Sequence, residues 1–388
     1  MIETRAPGKL FIAGEYAVVE PGEPAVLVAV DRYLTVRLVP SDDVGKVHSS
    51  EYGKAPVLWT RAEGEDADSG AVSIVIEHQP YDYVLSAITV MERLRAERGL
   101  PARYFDLHIS SELDDSSGRK FGLGSSAAVT VAVIAALDAF YGTGLGRTDR
   151  YRMALLATIE VAPNASGGDL AASTFGGWIR YTAPDRARLR ADLARLSVTD
   201  TLDSPGWEPF SVRALPEPPA LRLLVGWTGS PASTERLVGG VRPRSGGRRA
   251  GAGAEEPSAQ GIAYADFVAA SRESVDSLVE SLAAPDGGRT PELVRRHRRL
   301  LQGLGISSGI AIETDELRLL CNTAEEHGAA GKPSGAGGGD CGIVLAPVTA
   351  PQAELLAAWE ATGIRRLDLA VHPAVPAALA PQEAAADA

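Results

Sequence analysis

Apolar residues recur along the 388-residue chain with two spacings, every second position or every third to fourth, and glycine-rich breaks separate the runs. The opening stretches LFIAGEYAVV and AVLVAVDRYLTVRLV are rich in Val, Leu and Ile, with Pro21, Gly22 and Pro24 between them, which predicts a hairpin or consecutive strands. From Asp82 to Arg98 the spacing lengthens. Val84, Leu85, Ile88, Met91 and Leu94 fall at helical intervals, and Gly99 stops the pattern. Tyr104 to Leu113 alternates as a strand does and runs into the polar loop DDSSGRK. A helix is predicted from about Ser125 to Tyr141, and another from Asp149 to Val161 with Thr148 as its cap and Pro163 beyond its end. FGGWIRYT reads as a strand, and Leu221 to Gly229 as a buried strand that opens a second domain. Helical spacing returns in FVAASRESVDSLVESLA, ELVRRHRRLLQGLG and around DELRLLCNTAEEHG, and CGIVLA closes the series as an apolar strand.

A chain of this length exceeds what one hydrophobic core usually supports, so two domains are expected, 1–198 and 199–388. Gly239 to Ser258 has almost nothing to bury and reads as a flexible surface insertion. The Ala- and Pro-rich tail from Pro373 is expected to fray, and no internal repeat is present. With 45% hydrophobic and 23% charged residues the composition is that of a soluble globular protein. The net charge of −12 argues against a nucleic-acid or anionic-membrane partner, although a local basic pocket for an anionic substrate remains compatible with it. Cys321 and Cys341 form no CxxC pair, and His48, His78, His108, His297, His327 and His372 show no metal spacing. No signal peptide is evident at the N-terminus, and the apolar run Ala127 to Leu137 is too short to span a bilayer, so a cytoplasmic location is expected.

The chemistry concentrates in the glycine loops. In FGLGSSAAV the glycines expose the backbone directly ahead of a greasy helix. The first turn of a helix carries unpaired N–H groups and a partial positive charge, so such a loop seats an anion. Ser125 and Ser126 add hydroxyls for phosphate oxygens or magnesium. Gly122, Gly124 and Ala127 also fit a dinucleotide fingerprint, but the preceding strand and the acidic residue about 20 positions later are both missing. No Gly-Lys-Ser/Thr closes a Walker loop, and no GxSxG element suggests a hydrolase. A plain turn before a core helix would account for the glycines, but not for the paired serines or for the two further glycine loops at Ser166 to Gly168 and in SGAGGGD.

Three segments in order, APGKLFIAGEYAVV, KFGLGSSAAV and KPSGAGGGDCGIV, resemble the signature segments of the GHMP kinase superfamily, and the likeness covers nearly the whole chain. GKLFIAGEYAVVEPG, SELDD, GWTGSPAST and KPSGAGGGDCG are most similar to its bacterial phosphomevalonate kinase branch. The resemblance implies an α+β fold of two domains, the first like ribosomal protein S5 domain 2 and the second ferredoxin-like, with ATP, magnesium and acceptor in the cleft between them. It implies transfer of the ATP γ-phosphoryl group to 5-phosphomevalonate, by a monomer or homodimer. Mevalonate or another small hydroxyl acceptor, and a non-catalytic nucleotide sensor, are the alternatives.

Residue by residue, the resemblance gives Lys9 the role of a cation on the transferring group, against an ordinary strand-flanking surface lysine. Asp169 would orient Lys9 and the acceptor, or cap a helix, or both. Lys120, Gly122, Leu123, Gly124, Ser125, Ser126 and Ala127 would hold ATP. Ser125, Ser126 and Glu160 are the magnesium candidates, and Glu160 equally suits an exposed carboxylate near a helix end. Ser166, Gly167, Gly168, Ser334, Gly335, Ala336 and Gly337 would meet the substrate or pack one domain on the other. Ser230, Ser233 and Thr234 would touch substrate or cap a helix.

Overall fold

The computed structural model describes residues 1–53, 55–61, 74–76, 82–115, 117–230, 237, 240 and 261–375. His78, Ser233, Thr234 and all of the arginine-rich insertion except Gly240 lie outside the described residues. Strand β1 (Ile2–Ala13) alternates in exposure at first and is buried from Ala6 onward. Its partner β2 (Pro24–Ser41) is antiparallel to it along the whole length. Against β2 lie β7 (Trp178–Thr182) in its first half and β6 (Tyr104–Ser111) in its second. With β3 (Gly45–His48), β4 (Val57–Arg61), β5 (Ile74–Ile76) and β8 (Ser211–Leu215) they form an eight-stranded sheet, ordered β5-β4-β3-β6-β2-β7-β8 with β1 beside β2. The expected opening strand stops at Ala13, because the chain turns through Gly14 to a short 3-10 turn at Ala17–Val19.

Helix α1 (Tyr83–Glu97) starts where Asp82 accepts hydrogen bonds from the N–H groups of Val84 and Leu85. Helix α2 (Ser125–Tyr141) has the predicted bounds, and both ends are set by left-handed glycines, Gly124 and Gly142. Helix α3 (Arg147–Val161) begins two residues before the predicted start: Gly146 is its cap, Thr148 sits inside the first turn, and Asp149 supplies the negative charge favoured there. Helices α4 (Gly168–Phe175), α5 (Arg186–Leu193) and α6 (Val198–Leu202) complete this half.

A second, four-stranded antiparallel sheet is built from β9 (Leu221–Trp227), β10 (Ala330–Pro333), β11 (Cys341–Pro347) and β12 (Arg365–Leu367), ordered β10-β11-β9-β12. Its helices are α7 (Tyr264–Leu282), α8 (Thr290–Ser308), α9 (Asp315–Glu326) and α10 (Gln352–Ala361). Separate sheets, the first antiparallel except where β3 runs parallel to β6 and the second antiparallel throughout, with helices packed on them make an α+β fold, as expected. The division at 198/199 would cut α6 and strand β8 away from the sheet β8 completes; the sheets instead change over between Leu215 and Leu221. Past β12 the chain returns to the first sheet. Val371 bridges Val30, the His372 N–H donates to the Ala29 carbonyl at 2.9 Å, and the Val375 N–H donates to the Phe175 carbonyl at 3.0 Å, so the chain is held as far as Val375, and the rest of the tail expected to fray lies outside the described residues.

The halves adhere through an apolar cluster of Tyr16 and Ala17 with Phe267, Leu301, Leu304, Ile312 and Ala336. Full burial of a side chain the size of Leu, Ile or Phe contributes about 1.5–3 kcal/mol. Phe267, Leu301, Leu304 and Ile312 contribute in this way, and so does the main core, which runs on from the first sheet to Trp227, Leu278 and Ile343 of the second half.

Candidate active site

Two helix mouths open into one cavity of about 440 Å³. The first belongs to α2, where Gly124 (φ 80°) offers no side-chain cap and leaves the first-turn N–H groups facing the cavity with Ser125 and Ser126. The second belongs to α4, where Gly167 (φ 82°) is likewise left-handed. A Cβ on Gly167 would lie 2.8 Å from the Tyr181 hydroxyl and 2.9 Å from Leu155 Cδ1, so both backbone and space require glycine there.

Between the mouths runs Lys9. Its N–H donates to the Leu123 carbonyl at 2.9 Å, which fixes β1 to the α2 loop, and its ammonium lies 3.2 Å from the Asp169 carboxylate. The lysine side chain is 7% exposed and the aspartate 31%, so the pair faces the cavity from the aspartate side. A strand-flanking surface lysine is therefore ruled out. Asp169 sits in the first turn of α4, not at its cap, which is Gly167. Lys120 stands at the rim, paired with Glu51 at 2.7 Å while both side chains are more than half exposed. Exposed pairs of this kind contribute about 0–1 kcal/mol, little enough for a phosphate to displace the glutamate.

Gly122, Leu123, Ala127, Ser166, Gly335 and Ala336 also line the cavity. Gly168, Ser334, Gly337 and Glu160 are not among its lining residues. Gly168 is buried against Phe11 and Leu27. The Ser334 hydroxyl is used up on β1: it accepts from the Phe11 N–H at 3.0 Å and donates to the Phe11 carbonyl at 3.1 Å. At Gly337 the loop packs on Ile312, whose carbonyl accepts from the Gly338 N–H at 2.8 Å. Glu160, near the end of α3, is exposed, so its place as a magnesium ligand is not supported. Ser230 is exposed, and its carbonyl accepts from the Asp340 N–H at 2.7 Å.

Magnesium asks for hard oxygen donors and usually keeps substrate phosphates in its shell. The Ser125 and Ser126 hydroxyls and the Asp169 and Asp340 carboxylates on the cavity wall fit that demand. Among the described residues no group of three His, Cys, Asp or Glu side chains could hold a metal by itself, which leaves the remaining positions to nucleotide phosphates.

Sequence reasoning missed Asp340, which lies over the Gly122 loop, and a buried network that reaches the cavity wall at Glu15. Glu15 pairs with Lys332, and its other oxygen lies 3.2 Å from His297 Nε2. Burial alone would raise the Glu15 pKa, but the Lys332 charge and the His297 contact outweigh it and hold the carboxyl down at about 2. Burial lowers the His297 pKa below its ordinary 6.5, only partly opposed by Glu15. Glu15, Lys332 and Asp340 all stand inside the quoted motifs, but burial singles out the first two and the place over Gly122 on the cavity wall singles out Asp340.

The His297 shift has a measurable consequence. The unfolded chain binds a proton below about pH 6.5 that folded His297 refuses, so the stability contributed by the neutral ring is full above that pH and is lost as the pH falls. The slope is at most about 1.4 kcal/mol per pH unit for one such group. His297→Gln is expected to flatten the fall of the thermal midpoint between pH 7 and pH 5. His48 and His372, also lowered by burial, keep a residual slope. An unchanged slope in the variant would contradict the burial argument.

Two helix mouths and a lysine converging at the seam of two domains mark the class of small-molecule kinases that seat phosphates on backbone amides. Residues 82–177 match the family described as GHMP kinases N terminal domain, and residues 278–365 match GHMP kinases C terminal. The chain is 44% identical over 378 residues to the phosphomevalonate kinase of Streptomyces sp. (strain CL190), covering 95% of this chain and 96% of that one. It is 29% identical to the mevalonate kinase of Methanothermobacter thermautotrophicus, over 88% of this chain and 89% of that one. Of solved structures, Streptococcus pneumoniae phosphomevalonate kinase in complex with phosphomevalonate and AMPPNP superposes with a TM-score of 0.78 at 27% identity, covering 96% of this chain and all of that one. The Lin0012 protein from Listeria innocua gives a TM-score of 0.81 at 32% identity, over 95% and 97% of the two chains. The chain belongs to the GHMP kinase family.

Proposed function

We propose that the chain is a phosphomevalonate kinase: a phosphate oxygen of 5-phosphomevalonate attacks the γ-phosphorus of ATP, the bond to the β-phosphate oxygen breaks, and 5-diphosphomevalonate and ADP leave. The observation that carries this reading is the convergence of the α2 mouth, Lys9 and the α4 mouth on one cavity, together with 44% identity across nearly the full length to an enzyme of that name.

The acceptor is itself a phosphate whose second pKa is near ~6, so at neutral pH it needs little deprotonation. The difficulty is bringing two anions together. The α2 first-turn amides, with Ser125 and Ser126, hold the ATP phosphates; Lys9 lies between donor and acceptor; Asp169 fixes the Lys9 ammonium and needs no role as a base. Lys120 exchanges Glu51 for phosphate at the rim. Ser166, Gly167, Gly335 and Ala336 border the acceptor, and Val18, Val19, Val161 and Ala162 give its carbon skeleton an apolar wall. Magnesium bound with the nucleotide neutralises phosphate charge, and the Ser125 and Ser126 hydroxyls are placed to hold it. Buried free thiols at Cys321 and Cys341 fit a reducing compartment, hence the cytoplasm. Among the described residues no helix is long and apolar enough to cross a membrane.

The test is ADP release with each acceptor in turn. The kcat/KM for 5-phosphomevalonate is expected to exceed that for mevalonate by at least ~100-fold, since a site lined with phosphate donors leaves them unpaired around the smaller compound. A preference for mevalonate would replace this reading with the hydroxyl-acceptor alternative, and inactivity on both would favour the sensor.

A further inference from the structure

Three polar fastenings join the first motif to β10 and the loop that follows it. Glu15 pairs with Lys332, which is fully buried and also donates to the Pro333 carbonyl at 2.6 Å. The Ser334 hydroxyl bridges the N–H and carbonyl of Phe11. The Tyr16 hydroxyl donates to the Ala336 carbonyl at 2.5 Å. All three join residues 11–16 to residues 332–336, close to Lys9 on β1 and to the cavity wall at Gly335 and Ala336.

A buried ion pair is a poor way to gain stability, because desolvating two charges consumes most of what their attraction returns. Adhesion between the halves is already supplied by the apolar core that spans them and by the cluster around Phe267, Leu301, Leu304 and Ile312. What an apolar contact cannot do is select one register, since it tolerates sliding. The register matters here. Gly335 lines the same cavity as Lys9, and a Cβ there would reach van der Waals distance, 4.0 Å, of the Lys9 ammonium, so the loop borders the space in which that ammonium works. Tyr16 gives a second, independent sign that this turn is held under constraint: it is a non-glycine residue with φ 62°. Its hydroxyl is tied to Ala336, and its carbonyl accepts from the Tyr264 hydroxyl at 3.3 Å.

We propose that Glu15 and Lys332 are positioning residues, a charged clasp that locks the Gly335–Ala336 loop in register against β1 and so fixes where the Lys9 ammonium meets the transferring phosphoryl group. The proposal deepens the kinase reading and rests on it for the reaction, but the placement of Lys9 is measurable without any acceptor.

The variants are Glu15→Gln, Lys332→Met and the two combined. Each single change strands a buried charge and lowers the thermal midpoint. The double variant removes both charges and regains most of that loss, as replaced buried pairs commonly do. With stability restored, kcat is expected to stay at least ~10-fold below wild type while the KM for ATP moves less than ~3-fold, the pattern of lost transition-state contact. Recovery of kcat together with the thermal midpoint would overturn the proposal, because a merely structural pair behaves in that way. In parallel, the rate at which an amine-acylating reagent modifies Lys9 is read by mass spectrometry on wild type and the double variant, without acceptor. A several-fold change is expected, and an equal rate would overturn the proposal. If wild type does not turn over 5-phosphomevalonate, the functional reading fails and the labelling comparison still decides the clasp. Should the double variant not fold, Tyr16→Phe opens one fastening without burying a charge, and the same two outcomes are read from it.

Discussion

Lys9→Met is expected to lower kcat by about 10²–10³-fold while ATP binding changes little. The number follows from the charge problem. Two unit charges 4 Å apart interact by about 4 kcal/mol at an effective dielectric of ~20, and each 1.36 kcal/mol is a factor of ten in rate. Removing the cation between two phosphates therefore forfeits close to three orders of magnitude, less what Lys120 and the helix mouths still supply. Methionine keeps most of the stem that packs beside Gly124, and Asp169, at 31% exposure, finds water when its partner is gone, so the fold persists. Single-turnover measurements at saturating acceptor separate chemistry from binding. A kcat within threefold of wild type, or a loss carried wholly by the KM for 5-phosphomevalonate, would remove Lys9 from the role given to it.

How much of this was legible beforehand differs by element. The bounds of α2 could be read from the sequence because a glycine stands at each end and the stretch between them is apolar from Ala127 to Leu137 but for Thr130. Helix α3 was misread by two residues, since Thr148 and Gly146 rank about equally as caps by intrinsic preference and the sequence alone does not choose between them. The place where one sheet gives way to the next was hidden for a different reason: β8 joins the first sheet by pairing with β7, and two helices stand between the paired strands, so the pairing leaves no local signal. In the site, residues that present backbone or charge to the cavity were recognisable from motif and glycine pattern, as at Lys9, Gly124, Ser125 and Asp169. Ser334 and Gly337 share a motif with Gly335 and Ala336 yet face the domain seam, because consecutive residues in a tight loop point in different directions. Lys332 was the least legible, since nothing in sequence says that a lysine just ahead of a glycine loop lies in a strand, wholly buried against a glutamate 317 positions away.

Gly124→Ala is expected to reduce turnover at least ~100-fold for a reason separable from stability. The new methyl would lie 2.7 Å from Lys9 Cε, 3.3 Å from Lys9 Cγ and 3.5 Å from the Asp169 carboxylate, so the Lys9–Asp169 pair must move away from the α2 mouth. Misplacement by about 1 Å is enough to cost ~10²-fold in a reaction that depends on positioning. The residue also has φ +80°, which adds a strain of about 1–2 kcal/mol for any side chain. Gly142, at the other end of the same helix, isolates that second effect: its φ is +66°, and a Cβ there has no atom within 4 Å. Gly142→Ala therefore carries the backbone strain without the collision. Both variants are expected to lose a few degrees in thermal midpoint, whereas only Gly124→Ala loses activity, and its loss is expected in kcat before KM. Equal activity in the two variants would mean that the Lys9 ammonium is free to leave the helix mouth without consequence, and the positioning argument for this site would fail with it.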